Sequence, residues 1–228
     1  MPKINLIVSI FIFSLLLIIT SAIKNKKHVV TANKALIAEH GDEIFQLAEK
    51  YNVYFGFEAS VAGAIPIIQT LTNNMSNENI TSVTGIINGT CNYILDQMSS
   101  NSLEFSDALN EAKKLGYAEA DPTFDINGMD AAHKISILAS LIYKVKSPLK
   151  NTYIEGIENI TTMDIQFAKE LGYSIKHVGI TSITPSSECF ILYGPSLNTY
   201  HITSLIVIRI VVFNNITLAI LLTLHLIL

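Results

Sequence analysis

The chain has 228 residues, a net charge of −4 at pH 7, half of its residues apolar and 15% charged. That length accommodates one good core or two small ones, and no basic block is present to neutralise phosphates, which argues against nucleic acid as a partner. Two cysteines, Cys91 and Cys189, are too few for a disulfide framework or a zinc site and suit a reducing compartment.

The apolar residues concentrate at the ends. Leu6 to Ile23 carries no charge, follows Lys3 and precedes Lys24, Lys26 and Lys27. It is about the minimum length for a bilayer-crossing helix, and the stronger positive cluster on its C-terminal side suits an anchor facing the cytoplasm. The other reading is a buried helix of a soluble fold, ending at Asn25 in a left-handed cap and followed by a strand at Val29-Val30. Both stay open at this point. The tail from Ser204 has the same ambiguity: long enough to span, but interrupted by Arg209, Asn214, Asn215 and His225, with Leu205 to Phe213 β-branched enough for a buried strand.

Between the ends, charges are spread as in an ordinary α/β chain. Thr31-Ala32-Asn33-Lys34 leads into a helix continuing through Glu43 to Tyr51, and Val53 to Phe57 alternates as a strand. The loop Glu58 to Pro66 is rich in small residues, with the proline placed to start a helix over Ile67 to Leu71. Ile80 to Ile87 reads as a strand, and Asn88-Gly89-Thr90 as a turn opening a helix through Met98. Ser106 is a candidate N-cap for a helix from Asp107 to Leu115, which Gly116 ends. A polar loop from Gly116 to Gly128 precedes a strong amphipathic helix, Met129 to Tyr143. Strands alternating with helices predict an α/β or α+β domain, with helices against one mixed sheet.

Four places could carry chemistry. The acidic loop holding Glu119, Asp121 and Asp125 needs a cation, either a substrate ammonium or a metal, unless it is simply a solvated turn. Asp130 and Lys134 are spaced i, i+4: on a surface a routine ion pair, in a cleft a carboxylate and an ammonium aimed at one ligand. Glu58 with inward carbonyls of its loop could bind a hard cation. Lys34, just past a strand end, could meet a phosphate or carboxylate. No dinucleotide fingerprint or phosphate-binding loop occurs.

Taken in order, the segments Val29 to Leu36, Glu58 to Pro66, Gly85 to Leu95, Gly116 to Pro122 and Asp125 to Lys134 resemble the homoserine dehydrogenase family. The resemblance implies NAD(P)-dependent interconversion of L-homoserine and L-aspartate 4-semialdehyde, in the pathway to threonine, methionine and isoleucine. It implies that Lys134 shuttles the proton at the substrate hydroxyl, and that Glu119 and Asp130 hold the homoserine end. Glu58, with the carbonyls of Val61, Gly63 and Ile65, corresponds to a monovalent cation site, usually sodium. Lys34 and Gly116 correspond to positions lining the nucleotide and substrate cleft. The family is cytoplasmic and commonly homodimeric through its catalytic sheet.

The expected organisation is therefore an apolar segment over 1–27 (membrane anchor or remnant of a Rossmann domain), a catalytic domain over 28–180, and a diverged apolar segment over 181–228. Beyond Ile180 only fragments such as Pro195-Ser196-Leu197 and His201 match the family's returning strands. The family's Gly-rich pyrophosphate turn lies ahead of the matched region, so the expectation is weak cofactor binding by this chain alone and completion by a separate nucleotide-binding chain. The alternative function is a non-catalytic, membrane-anchored remnant of such an enzyme, or a module that only binds homoserine.

Overall fold

A computed structural model describes the backbone of residues 2–76, 79–146, 148–183, 189–198, 205–212 and 216–223; side chains are described within 10–183. The chain divides into two compact units, residues 1–76 with 136–150 and residues 77–135 with 151–228.

The first unit opens with α1 (Pro2–Lys24), β1 (Val29–Val30), α2 (Lys34–Tyr51) and β2 (Phe55–Gly56). β1 and β2 pair in parallel through α2, which makes a βαβ crossover. Asn33 caps α2, its side-chain oxygen accepting the Leu36 N–H at 2.9 Å, and Asn52 closes it in the left-handed conformation. At the end of α1 the left-handed residue is Lys26, not the expected Asn25, whose side chain instead donates to the Ser21 carbonyl. α1 buries Ile12, Leu16, Ile19 and Ile23 in one cluster with Leu36, Ile44 and Ala48 of α2. Burial of this kind is what the buried-helix alternative requires. Among the described residues no helix is long and apolar enough to cross a membrane. α3 (Ile67–Gln69) is shorter than the expected helix, because the backbone widens into a π turn over Thr70–Asn74.

The second unit is built on a six-stranded mixed sheet in the order β4-β6-β5-β3-β7-β8. Its strands are β3 (Ile80–Gly85), β4 (Tyr153–Ile154), β5 (Ser174–Ile183), β6 (Cys189–Asn198), β7 (Leu205–Val212) and β8 (Ile216–Thr223). Only β4 and β6 pair in parallel; β3, at the centre, pairs antiparallel with β5 and β7. β6 contains Pro195-Ser196-Leu197, and Leu205–Val212 is a strand, as its β-branched content suggested; His201 lies outside the described residues.

The helices of this unit are α4 (Gly89–Asn101), α5 (Phe105–Lys114), α6 (Thr123–Ile126), α8 (Thr162–Glu170) and the first half of α7 (Met129–Tyr143). Its core joins Cys91, Ile94, Leu95 and Met98 of α4 to Ala108, Ala112, Ile126, Ile157 and Ile165. Two expectations fail here. α5 starts at Phe105 after Glu104, which makes no side-chain cap bond, so Ser106 lies inside the first turn. α7 is not amphipathic: Asp130, His133, Ile135, Ser136, Ile137 and Leu138 are all buried although they point around the whole helix. Gly156 allows a close backbone approach, since a Cβ there would collide with the Ile126 carbonyl oxygen at the end of α6.

Candidate functional site

The polar groups that converge do so at the start of α4 and the start of α7. Asn88 is 3% exposed and caps α4, its Oδ1 accepting the Cys91 N–H at 2.8 Å. The same side chain donates both of its N–H groups, to Asp125 Oδ1 at 2.8 Å and to Asp130 Oδ2 at 2.9 Å. Asp130 is 4% exposed. Its Oδ2 also accepts from Lys134 Nζ at 2.7 Å, and that ammonium donates to the Ile87 carbonyl at 2.9 Å. The i, i+4 spacing therefore makes a buried pair and not a surface one: the Lys134 side chain is 19% exposed and that of Asp130 6%.

Neighbouring contacts hold this cluster in place. Thr90 Oγ1 donates to the Tyr117 carbonyl at 2.7 Å, which ties the first turn of α4 to the acidic loop, and the Tyr93 and Tyr117 rings stack with centroids 4.3 Å apart. Asn92 donates to the carbonyls of Asn88 and His177 and accepts the His177 N–H at 3.0 Å. His177 itself is buried, and burial lowers its imidazole to about 4 against the pull of the Glu155 backbone and the Asp130 charge. Burial, then the Asp125 and Asp130 carboxylates, pushes the Cys91 thiol far above its ordinary range. Cys91 donates to the Asp125 carbonyl at 3.2 Å, and it is a packed core group, not a nucleophile.

Of the expected residues, Asp130 and Lys134 come together directly. Glu119 is exposed on the turn after Gly116 and makes no hydrogen bond to that pair. Gly116 takes a positive φ of 82° with open space where a Cβ would stand. The others lie in the first unit. Lys34 opens α2, immediately after β1. Glu58 turns both carboxylate oxygens onto the start of α3, accepting the N–H of Ile68 at 2.7 Å and of Gln69 at 2.9 Å. The Ile65 carbonyl accepts the Ile67 N–H at 2.8 Å, Val61 is buried, and Gly63 has a positive φ of 60°.

Asn88 and Asp125 stand in the cluster but were legible beforehand only as turn chemistry and loop charge. The available signal was the N-cap pattern at Asn88; nothing local links it to carboxylates that lie 37 and 42 residues away along the chain.

Comparison with known proteins identifies the family of the chain. A family model for homoserine dehydrogenase matches residues 66–212, and a model for the homoserine dehydrogenase NAD binding domain matches residues 16–58. The chain is 52% identical over 166 residues to a homoserine dehydrogenase of Neisseria gonorrhoeae, covering 73% of this chain and 38% of that protein. The Helicobacter pylori enzyme is also 52% identical, over 74% of this chain and 40% of its own length. The chain thus spans about two fifths of the curated relatives it matches. Among solved structures, a homoserine dehydrogenase from Thiobacillus denitrificans superimposes with a TM-score of 0.80 at 40% identity, over 88% of this chain and 48% of that one. A hyperthermophilic archaeal homoserine dehydrogenase in complex with NADPH superimposes with a TM-score of 0.71 at 28% identity, over 89% of this chain and 60% of that one. With a family model covering most of its length and these relatives beside it, the chain belongs to the homoserine dehydrogenase family.

Proposed function

We propose that the chain carries the acid–base and substrate-holding part of NAD(P)-dependent interconversion of L-aspartate 4-semialdehyde and L-homoserine, in the biosynthesis of threonine, methionine and isoleucine. The observation that carries this reading is the buried contact of Lys134 Nζ with Asp130 Oδ2 at 2.7 Å.

Reducing an aldehyde takes a hydride at carbon and a proton at oxygen. A bound reduced nicotinamide supplies the hydride. Lys134 supplies the proton: two of its ammonium N–H groups are held by Asp130 and Ile87, which leaves the third for the substrate oxygen. In the reverse direction the same nitrogen receives the hydroxyl proton. Asp130 and Glu119 face the substrate's ammonium, whose positive charge offsets the excess of carboxylates around Asn88.

Two residues, each considered within its own unit, suit a nucleotide. Lys34 places a positive side chain at the N-terminus of α2, beyond the carboxyl end of a parallel strand, where a phosphate is favoured. Gly116 leaves room for close approach. A monovalent cation, sodium in our reading, fits Glu58 with the carbonyls of Val61, Gly63 and Ile65. Each Glu58 oxygen is engaged by one backbone N–H and keeps a further lone pair. We assign a cytoplasmic homodimer; a reduced, buried Cys91 suits that compartment.

The test is calorimetric titration of L-homoserine into the purified chain and its Asp130→Asn variant. Saturable binding, weakened about 10-fold or more in the variant, is expected. No binding to the wild type, or equal binding to both, would overturn the assignment.

A further inference from the structure

Two carboxylates that share one amino-acid side chain as a partner need an explanation beyond helix capping. A serine, threonine or aspartate would cap α4 as well as Asn88 does. None of them presents two N–H groups in one plane. Asn88 uses both, one on Asp125 Oδ1 at 2.8 Å and one on Asp130 Oδ2 at 2.9 Å, while its oxygen is committed to Cys91 N–H. Its backbone carbonyl is held by Asn92, and Asn92 is locked to the His177 backbone in both directions. The amide therefore cannot swing, and its orientation is set by its own cap bond: reversing it would turn N–H groups toward the Cys91 N–H.

We infer that Asn88 is a positioning residue, which clamps the Asp125 and Asp130 carboxylates side by side through its two amide hydrogens and so aims Asp130 at Lys134. This rests on the proposed function. Two negative groups at such separation repel, and Lys134 contacts only Asp130 of the pair. Without the clamp, Asp125 Oδ1 and Asp130 Oδ2 each lose one of the N–H groups that hold them. The charged and titratable groups around the clamp are Lys134 on α7, His177 on β5, Cys91 on α4, and Glu158 in the segment after β4. Lys134 is the cation among these at neutral pH.

The test uses the whole chain. In nitrogen-15 spectra the two side-chain amide protons of Asn88, identified by their loss in Asn88→Ser, should both exchange slowly with water. In Asp125→Ala, which removes the accepting oxygen, one of them should lose its protection. If both keep the wild-type exchange rate in that variant, the clamp does not exist. Asn88→Ser, with Asn88→Thr as a second cap-retaining variant should the first not fold, then reads the consequence. Homoserine affinity should fall about 10- to 100-fold in a folded protein whose α4 is intact, and the acid limb of binding should move to higher pH. Unchanged affinity and an unchanged acid limb in a folded variant would leave Asn88 a helix cap alone and overturn the inference. Should the wild type fail to bind homoserine, the functional assignment falls, while the amide-exchange comparison still decides the clamp.

Discussion

Asp130 and Glu58 are both carboxylates beside the start of a helix, and both were expected at the site, yet they keep different company. Asp130 accepts from a lysine and from an asparagine that also holds Asp125, in a setting from which water is nearly excluded. Glu58 spends its two oxygens on the backbone of α3, part-exposed. The first arrangement concentrates charge that a ligand can complete. The second satisfies helix-end N–H groups that would otherwise face solvent, and any cation there must share oxygens already in use. Resemblance to the family treats the two positions alike, and the geometry distinguishes a carboxylate paired with an ammonium from one that caps a helix.

Three perturbations sharpen that contrast. The largest effect is acid. The imidazole of His177, a residue whose backbone Asn92 ties to the clamp, sits at about 4 when folded against 6.5 ordinarily. The native state thus takes up its proton later than the unfolded chain, so stability is intact above pH 6.5 and is lost as pH falls from there to 4. The cost reaches on the order of 3 kcal/mol, and His177→Asn should flatten that part of a stability-versus-pH curve measured by denaturant unfolding. Next is Asp130→Ala, which strands the Lys134 ammonium. Water reaches part of that side chain, so the expected loss is roughly 2 kcal/mol at neutral pH, seen as a lower unfolding midpoint. The smallest is Glu58→Ala, which removes two acceptors from the start of α3 and should cost about 1 kcal/mol, with homoserine affinity unchanged. A sodium-dependent stabilisation present in the wild type and absent from Glu58→Ala would add the cation to that site; equal response in both proteins would remove it.

Much of this was legible along the chain because it is local. Asn33 and Asn88 before apolar periodic segments mark the starts of α2 and α4, and Asp130 and Lys134 one turn apart fix their own contact once α7 exists. What was not legible is what depends on distant chain. The burial of α7 on all sides comes from packing that no helical period reports. Glu58 finds its N–H partners 10 and 11 residues on, across a loop whose path spacing does not predict. The start of α5 differs because Ser106 is a good cap by type, while Glu104 stands at the cap position and its side chain accepts from Thr162 instead of capping the helix. The Asn88 clamp lies at the same limit: each residue is visible alone, and only folding brings them within 3 Å.

The most direct test of the account is oxidation of NADPH on adding L-aspartate 4-semialdehyde, measured for the chain and for Lys134→Ala under saturating nucleotide. The account predicts turnover that falls about 100- to 10,000-fold in the variant, while the variant still folds. Turnover in Lys134→Ala equal to that of the wild type would contradict it.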